Sequence, residues 1–300
     1  MEQLPSAYVS PTSVPRPLAS GGCPKHTRSL IHLRGEVEIA QLGFGVFQVP
    51  PEDTADVTTR ALLAGYRHID TAAGYRNEAG VGQAVHAAGL SRDEVFITTK
   101  LHNDDHLQAD QALRHSLGQL EMEHVDLYLI HWPVPAHDHY VQAWQSLIEL
   151  QKQGLARAIG VSNFNQPHLE RIIRETGVTP AINQVELHPR LQQPGLRREL
   201  ADLDVPLEAW SPLAKAQVLD DPVITGIANE RERTPAQVVL RWHLQLGHVV
   251  IPKSVTQSRI EENLGIFDFH LTDADMEAIE TLDVGERTGP DPDTFIRPPG

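Results

Sequence analysis

The spacing of apolar residues changes twice along the chain and then settles into a steady alternation. Residues 1–28 show no apolar period and carry Pro5, Pro11, Pro15, Pro17 and Pro24 among serines and glycines. Such a segment buries too little surface to offset its ordering entropy, which predicts a disordered extension. Two short runs follow, Leu30-Ile31-His32-Leu33 and Val37-Glu38-Ile39, around Arg34-Gly35-Glu36, and they predict a β-hairpin. From there short β-rich runs alternate with longer stretches of helical period. The runs are 40–45, 67–70, 95–100, 125–131, 156–162, 181–185, 206–210 and 248–252. Helices are predicted between them at 53–65, 77–89, 107–122, 140–153, 166–176, 193–204 and 235–246.

Eight strands with seven intervening helices exceed the usual count of a doubly wound sheet and predict an α/β fold, a (β/α)8 TIM barrel with an N-terminal β-hairpin. One domain then covers 29–285, with a last helix at about 272–283 and a Pro/Gly-rich C-terminal tail over 286–300. Local signals agree. Thr234-Pro235-Ala236-Gln237 reads as a capping box with proline in the first helical position. Ser91-Arg92-Asp93-Glu94 has the same spacing but precedes a strand, so it reads as a turn. Gly65, Gly89, Gly154 and Gly177 each follow a helical pattern, where a left-handed cap needs glycine.

Composition narrows the possible partners. The net charge of −15 includes no basic cluster, which argues against nucleic acid. No apolar run is long enough to cross a membrane, and the N-terminus does not read as a signal peptide. A single cysteine, Cys23, precludes an internal disulfide and fits a reducing compartment, so a cytoplasmic location is expected.

In a barrel, polar residues at the C-terminal strand ends meet at one mouth. Here the runs end in Asp70, Lys100, His131 and Ser162-Asn163, with Gln184 near the end of the sixth and Lys253-Ser254 after the eighth. Asp70, Tyr75, Lys100 and His131 form a chemical set. A tyrosine is a weak acid, a neighbouring ammonium lowers its pKa, a carboxylate holds that ammonium, and an imidazole can bond a carbonyl oxygen. The set suits general-acid catalysis of carbonyl reduction, provided something supplies hydride. Gly43-Phe44-Gly45 is too short to be a dinucleotide fingerprint, but it puts Phe44 and Phe47 at the first strand's end, where they can touch substrate or nicotinamide. His102 and His106, in the loop after Lys100, either contact substrate or are solvated. His137 and His139 offer two imidazoles without the further ligands a metal needs, so no metal site is expected.

The chain resembles the aldo-keto reductases, particularly bacterial 2,5-diketo-D-gluconate reductases, over roughly residues 29–285. The motifs GYRHIDTAAGYRNE (65–78), ITTKL (97–101), DLYLIHWP (126–133), GVSNF (160–164), NQVELHP (183–189), AWSPL (209–213), IPKSV (251–255) and RIEEN (259–263) run in the family's order. The resemblance implies an NADPH-dependent monomeric enzyme that reduces an aldehyde, ketone or diketo acid. Tyr75 donates the proton, Lys100 lowers its pKa, Asp70 pairs with Lys100, and His131 orients the substrate oxygen. Ser162, Asn163 and Gln184 bond the nicotinamide carboxamide, and Trp210 stacks on its ring where many members use tyrosine. Ser211 and Leu213 follow the pyrophosphate. Lys253, Ser254 and Arg259 hold the 2′-phosphate, with Val255 beside them and Glu262 and Asn263 near the adenine. Trp132 joins Phe44, Phe47 and His102 on the substrate side. Short covering loops suggest an open site. Two rivals are a cofactor-sensing barrel without turnover and a metal-dependent hydrolase.

Overall fold

The computed structural model describes residues 29–296, so the expected disorder of 1–28 lies outside the described residues. β1 (Leu30–Leu33) and β2 (Val37–Ala40) form the antiparallel hairpin, with Leu33 opposite Val37. Its turn needs two residues in the left-handed region, Gly35 at φ 86° and Glu36 at φ 61°. Leu33, Val37 and Ile39 are buried against Phe96, Leu127, Leu129, Ala158, Ile182 and Val249. The hairpin therefore caps the lower end of the barrel with its apolar face, while the His32 and Glu38 side chains stay in water.

The barrel strands are β3 (Phe44–Gly45), β4 (His68–Asp70), β5 (Phe96–Leu101), β6 (Val125–Ile130), β7 (Ala156–Ser162), β8 (Asn183–Glu186), β9 (Leu207–Trp210) and β10 (Val249–Val250). Each is parallel to the next in chain order. The ring closes between last and first: Leu42 bridges Val250, and the Gly43 amide donates to the Val250 carbonyl at 2.9 Å. The seven expected helices form as α1 (Pro51–Ala64), α2 (Glu78–Ala87), α3 (Ala109–Leu120), α4 (Tyr140–Lys152), α5 (Gln166–Thr176), α6 (Pro194–Asp202) and α8 (Pro235–Gln245). α10 (Asp273–Glu280) follows, shorter than the expected 272–283. The helices bury faces such as Val57, Ala61 and Leu62 of α1 and Leu113, Leu117 and Leu120 of α3 against the sheet.

Two helices escape the periodicity: α7 (Pro222–Arg231) and the short α9 (Gln257–Glu262). α7 carries the start signal used for α8, an N-cap side chain before proline: Asp221 accepts from the Val223 amide. Its apolar face is too weak to announce the rest. At Ser91 the expected turn is a single 3-10 turn, Arg92–Glu94, closed by a capping box. Thr234 and Gln237 form their box at the start of α8. Gly65, Gly89, Gly154 and Gly177 all have positive φ.

The described part of the tail does not hang free. Beyond α10 the Val284 and Glu286 amides donate to the Arg190 carbonyl, and the chain then crosses the barrel mouth as a strap.

Candidate active site

Asp70 ends β4, and Lys100 lies one residue from the end of β5, so parallel pairing sets them side by side in the barrel. The Lys100 Nζ donates to Asp70 Oδ1 at 2.6 Å and to the Thr71 carbonyl at 2.9 Å, and lies 3.4 Å from the Tyr75 hydroxyl. Tyr75 reaches that position because the chain leaves β4 through one 3-10 turn, Ala73–Tyr75, and reverses at Arg76 with φ 59°. Asn77 pins the loop: it accepts from Thr71 Oγ1 at 2.8 Å and donates to the Val46 carbonyl at 2.9 Å.

Burial pushes the Lys100 ammonium toward its neutral form, but the charge and hydrogen bond of Asp70 lead the opposing pull, and its pKa stands above the usual lysine value. Burial also raises the Tyr75 phenol, and Lys100 recovers only part of that rise. The expected lowering by Lys100 is thus present but outweighed, so Tyr75 is held as the neutral phenol. His131 stands edge-on to Tyr75, ring centroids 5.5 Å apart. Burial, then Lys100 and His102, hold it well below the usual histidine range, so its imidazole is neutral.

Around this centre the predicted residues separate. Phe47 is half exposed and stacks on Tyr75 at 5.0 Å, as a wall of the mouth. Phe44 is not a mouth residue: 1% exposed, it packs edge-on against Tyr66 in the layer between strands and helices. Its register opposite Ile69 turns it outward, which corrects the expectation that it touches substrate. His102 lies at the mouth beside Gly74, where a Cβ would come within 3.0 Å of its ring. His106 is not solvated but buried. Trp132 is nearly covered, because Phe295 of the strap lies 4.3 Å from its ring.

A second group stands across the mouth. Ser162 donates to the Gln184 carbonyl at 2.9 Å, and Asn163, at φ 63°, donates to the His131 carbonyl at 3.0 Å. The Trp210 indole donates to Asn163 Oδ1 at 2.8 Å, which fixes its ring beside this group. The Gln184 amide donates to two buried carboxyls, Asp70 and Glu208. Beside the mouth opens a cavity of about 550 Å3. Ser211 and Leu213 line one stretch of it, and Lys253, Ser254, Val255 and Arg259 line another, with Glu262 and Asn263 alongside. Among the described residues neither Lys253 nor Arg259 is held in an ion pair, so both cations are available to an anion. Its cationic corner, with the Ser211 and Ser254 hydroxyls along the wall, fits the phosphates of a phosphorylated dinucleotide.

Two buried carboxyls of the site, Glu186 and Glu208, were missed. For Glu208 the signal was a glutamate inside the apolar strand Leu207–Trp210, whereas Glu186 ends the polar strand Asn183–Glu186 and gave no such signal. Glu186 accepts from the Thr288 amide and hydroxyl at 2.6 Å each and from the Gly289 amide at 3.2 Å, which ties the strap to the rim. A Cβ at Gly289 would lie 2.4 Å from the Trp210 ring, so the strap passes where only glycine fits. The strap narrows that side of the mouth, which the short loops suggested to be open. His137 and His139 lie with ring centroids 6.1 Å apart, and Asp138 between them pairs with Arg171.

Comparison with known proteins agrees with this geometry. The sequence profile of the Aldo/keto reductase family matches residues 40–222 and 215–284. The chain is 52% identical over 269 residues to methylglyoxal reductase DkgA of Escherichia coli (strain K12), covering 89% of this chain and 98% of that protein. It is 50% identical over 262 residues to an aldo-keto reductase of Mycolicibacterium smegmatis, covering 86% and 94%. A crystal structure of a Gox0644 mutant in complex with NADPH superposes with a TM-score of 0.86 at 46% identity, covering 89% of this chain and 98% of the other. With a closed barrel, the four-residue centre and a family match over most of its length, the chain belongs to the aldo/keto reductase family.

Proposed function

We propose that this reductase uses NADPH to reduce the carbonyl group of a small aldehyde, ketone or diketo acid, with Tyr75 as the proton donor. The observation that carries the reading is the Lys100 ammonium held between Asp70 and the Tyr75 hydroxyl at 2.6 and 3.4 Å. NADPH in the cavity supplies the hydride. Lys253, Ser254 and Arg259 take its 2′-phosphate, Ser211 and Leu213 flank the pyrophosphate, and Ser162, Asn163, Gln184 and Trp210 hold the nicotinamide end.

The carbonyl oxygen lies between the Tyr75 hydroxyl and the neutral His131 imidazole, both of which can donate to it. As negative charge develops on that oxygen, Tyr75 releases its proton, and the nearby ammonium stabilises the phenolate left behind. A phenol held neutral by burial is the form a reduction needs, and Lys100 lowers the cost of its ionisation only when the transition state asks for it. Phe47, His102 and Trp132 border the substrate. The relative named methylglyoxal reductase makes a small α-oxoaldehyde a first candidate.

The test is NADPH consumption with a panel of carbonyl compounds that includes methylglyoxal and a diketo acid. Tyr75→Phe is expected to lower kcat roughly 10²- to 10⁴-fold, with the NADPH Kd within about twofold of wild type. A wild type that oxidises NADPH with none of the panel would leave a cofactor-binding barrel. A Tyr75→Phe variant that turns over normally would remove Tyr75 from the chemistry.

The enzyme is further proposed to act as a cytoplasmic monomer. Every group of the centre comes from one chain, and a single cysteine suits a reducing compartment. Light scattering after gel filtration is expected to give the mass of one chain, and a dimer mass would refute the monomer. No helix among the described residues is long and apolar enough to cross a membrane.

A further inference from the structure

Below the Lys100–Asp70 pair the barrel axis holds two more titratable side chains. Glu208 on β9 lies opposite Gln184 on β8, and His68 stands near the start of β4. Both are fully buried. Gln184 Nε2 is 2.8 Å from Asp70 Oδ2 and 2.9 Å from Glu208 Oε2. A primary amide has two N–H hydrogens on one nitrogen, and here each meets a carboxyl oxygen. The flipped amide would aim its own oxygen at the same two acceptors. The two carboxyls therefore select one orientation, with the NH2 toward them and Oε1 turned away.

Glu208 Oε1 makes no hydrogen bond in the structure and lies nearest to His68 Nε2, at 3.5 Å, and that nitrogen is 3.3 Å from Thr98 Oγ1. Asp70 already uses the one ammonium present, Lys100, so a second carboxylate beside it would be uncompensated. Burial first, then Asp70, push the Glu208 carboxyl up to about 8. Burial drives His68 down to about 4, against the pull of Asp70 and the Ala40 carbonyl. At neutral pH the pair is thus a protonated acid facing a neutral imidazole, which leaves Oε2 as the acceptor for Gln184. A Cβ at residue 43 would fall 2.3 Å from the His68 ring, so Gly43 is what lets that ring stand there.

We propose that Glu208 is a positioning residue: it fixes the Gln184 amide so that Oε1 faces the nicotinamide and accepts from its carboxamide N–H. This rests on the reading that the cavity binds NADPH. Asp70 alone secures one amide hydrogen and leaves the group able to swing; Glu208 removes that freedom before the cofactor arrives.

The test compares two probes, NADPH and adenosine 2′,5′-bisphosphate, which shares the phosphate corner but has no nicotinamide. Equilibrium titrations are made on wild type, Glu208→Gln and Glu208→Met. Glu208→Gln keeps an acceptor for Gln184 and a donor for His68, and is expected to bind both probes within about twofold of wild type. Glu208→Met has a similar length but no acceptor. It is expected to weaken NADPH roughly three- to tenfold, the span of one hydrogen bond, and to leave the bisphosphate unchanged. Unchanged NADPH binding, or equal weakening of both probes, overturns the proposal. A wild type that binds the bisphosphate no worse than NADPH shows that the nicotinamide end is not gripped, and a wild type that binds neither overturns the cofactor reading and this assignment with it.

A second measurement uses the apo wild type and the near-isosteric Glu208→Gln alone. The Gln184 side-chain amide hydrogens are expected to exchange slowly with water, and their NMR signals to shift in Glu208→Gln. Exchange at the rate of a free amide, or signals that do not move, overturns the proposal even if Glu208→Met fails to fold.

Discussion

At the scale of residues, the centre works through opposed environments for neighbouring groups. Lys100 is kept charged by Asp70 while Tyr75 and His131 beside it are kept neutral by burial. Neither outcome follows from residue type alone, because each depends on whether a partner charge exceeds the cost of burial. Cofactor choice depends on another local balance. Arg259 and Lys253 are two cations in a protein of net charge −15, and both face the cavity. Arg259→Ala removes charge-assisted bonds to a 2′-phosphate, so the NADPH KM is expected to rise roughly ten- to a hundredfold while the NADH KM stays as it was. Parallel steady-state assays with the two cofactors check this, and an equal rise for both would take Arg259 off the 2′-phosphate.

At the scale of elements, the two ends of the barrel do different work. The upper end carries the mouth and the strap, whose grip on Glu186 and Trp132 makes the tail part of the pocket wall. The lower end is sealed by the hairpin, which touches none of the reacting groups. Ile39 is fully buried there among barrel-interior side chains. Ile39→Ala deletes that packing and is expected to cost about 2–5 kcal/mol in urea unfolding. The NADPH KM should stay within about twofold, since the lower end only supports the site. A stability loss under about 1 kcal/mol would mean that the hairpin is not a plug but an appendage.

At the scale of the whole molecule, the many buried titratable groups make stability depend on pH in a definite sense. Among the described residues, burial lowers six histidines: His68 and His106 to about 4, His248 to about 3, and His131, His168 and His243 as well. Below about pH 6.5 the unfolded chain binds protons on these rings and the native state does not, so stability falls with acidification from about 6.5 toward 4. Three carboxyls act oppositely. Burial raises Glu208 to about 8, Glu199 to about 7, and Glu78 in the same direction. Their native protons cost stability as pH climbs from the ordinary carboxylate value through those raised values. Six groups against three make the acid limb the steeper one. Melting temperature is therefore expected to peak near pH 6–7, falling fast on acidification and more gently toward pH 8. A maximum at pH 5 or below would contradict the neutral burial of the histidines.

How much was legible in the sequence follows from range. The hairpin, the eight strands and every helix but α7 and α9 come from short apolar runs and a period of 3.6 residues, which neighbours along the chain enforce. The strand-end residues were legible because a polar group after an apolar run has few cheap places to go except a rim. α7 and α9 were hidden by weak or short apolar faces. Phe44 was misread because a two-residue strand does not reveal which side faces the barrel, and only the register with Ile69 decides it. Glu186 and Glu208 show the same limit. Each is only an acid in a short strand until the fold brings a strap across one and His68 and Gln184 against the other. The sequence by itself thus determined the hairpin, the strands, most of the helices and the barrel, and it put Asp70, Tyr75, Lys100 and His131 forward as one set, since these follow from local period and chemistry. Tertiary structure decided which groups are charged, which way Gln184 turns and where the tail lies, because those depend on distances between residues far apart in the chain.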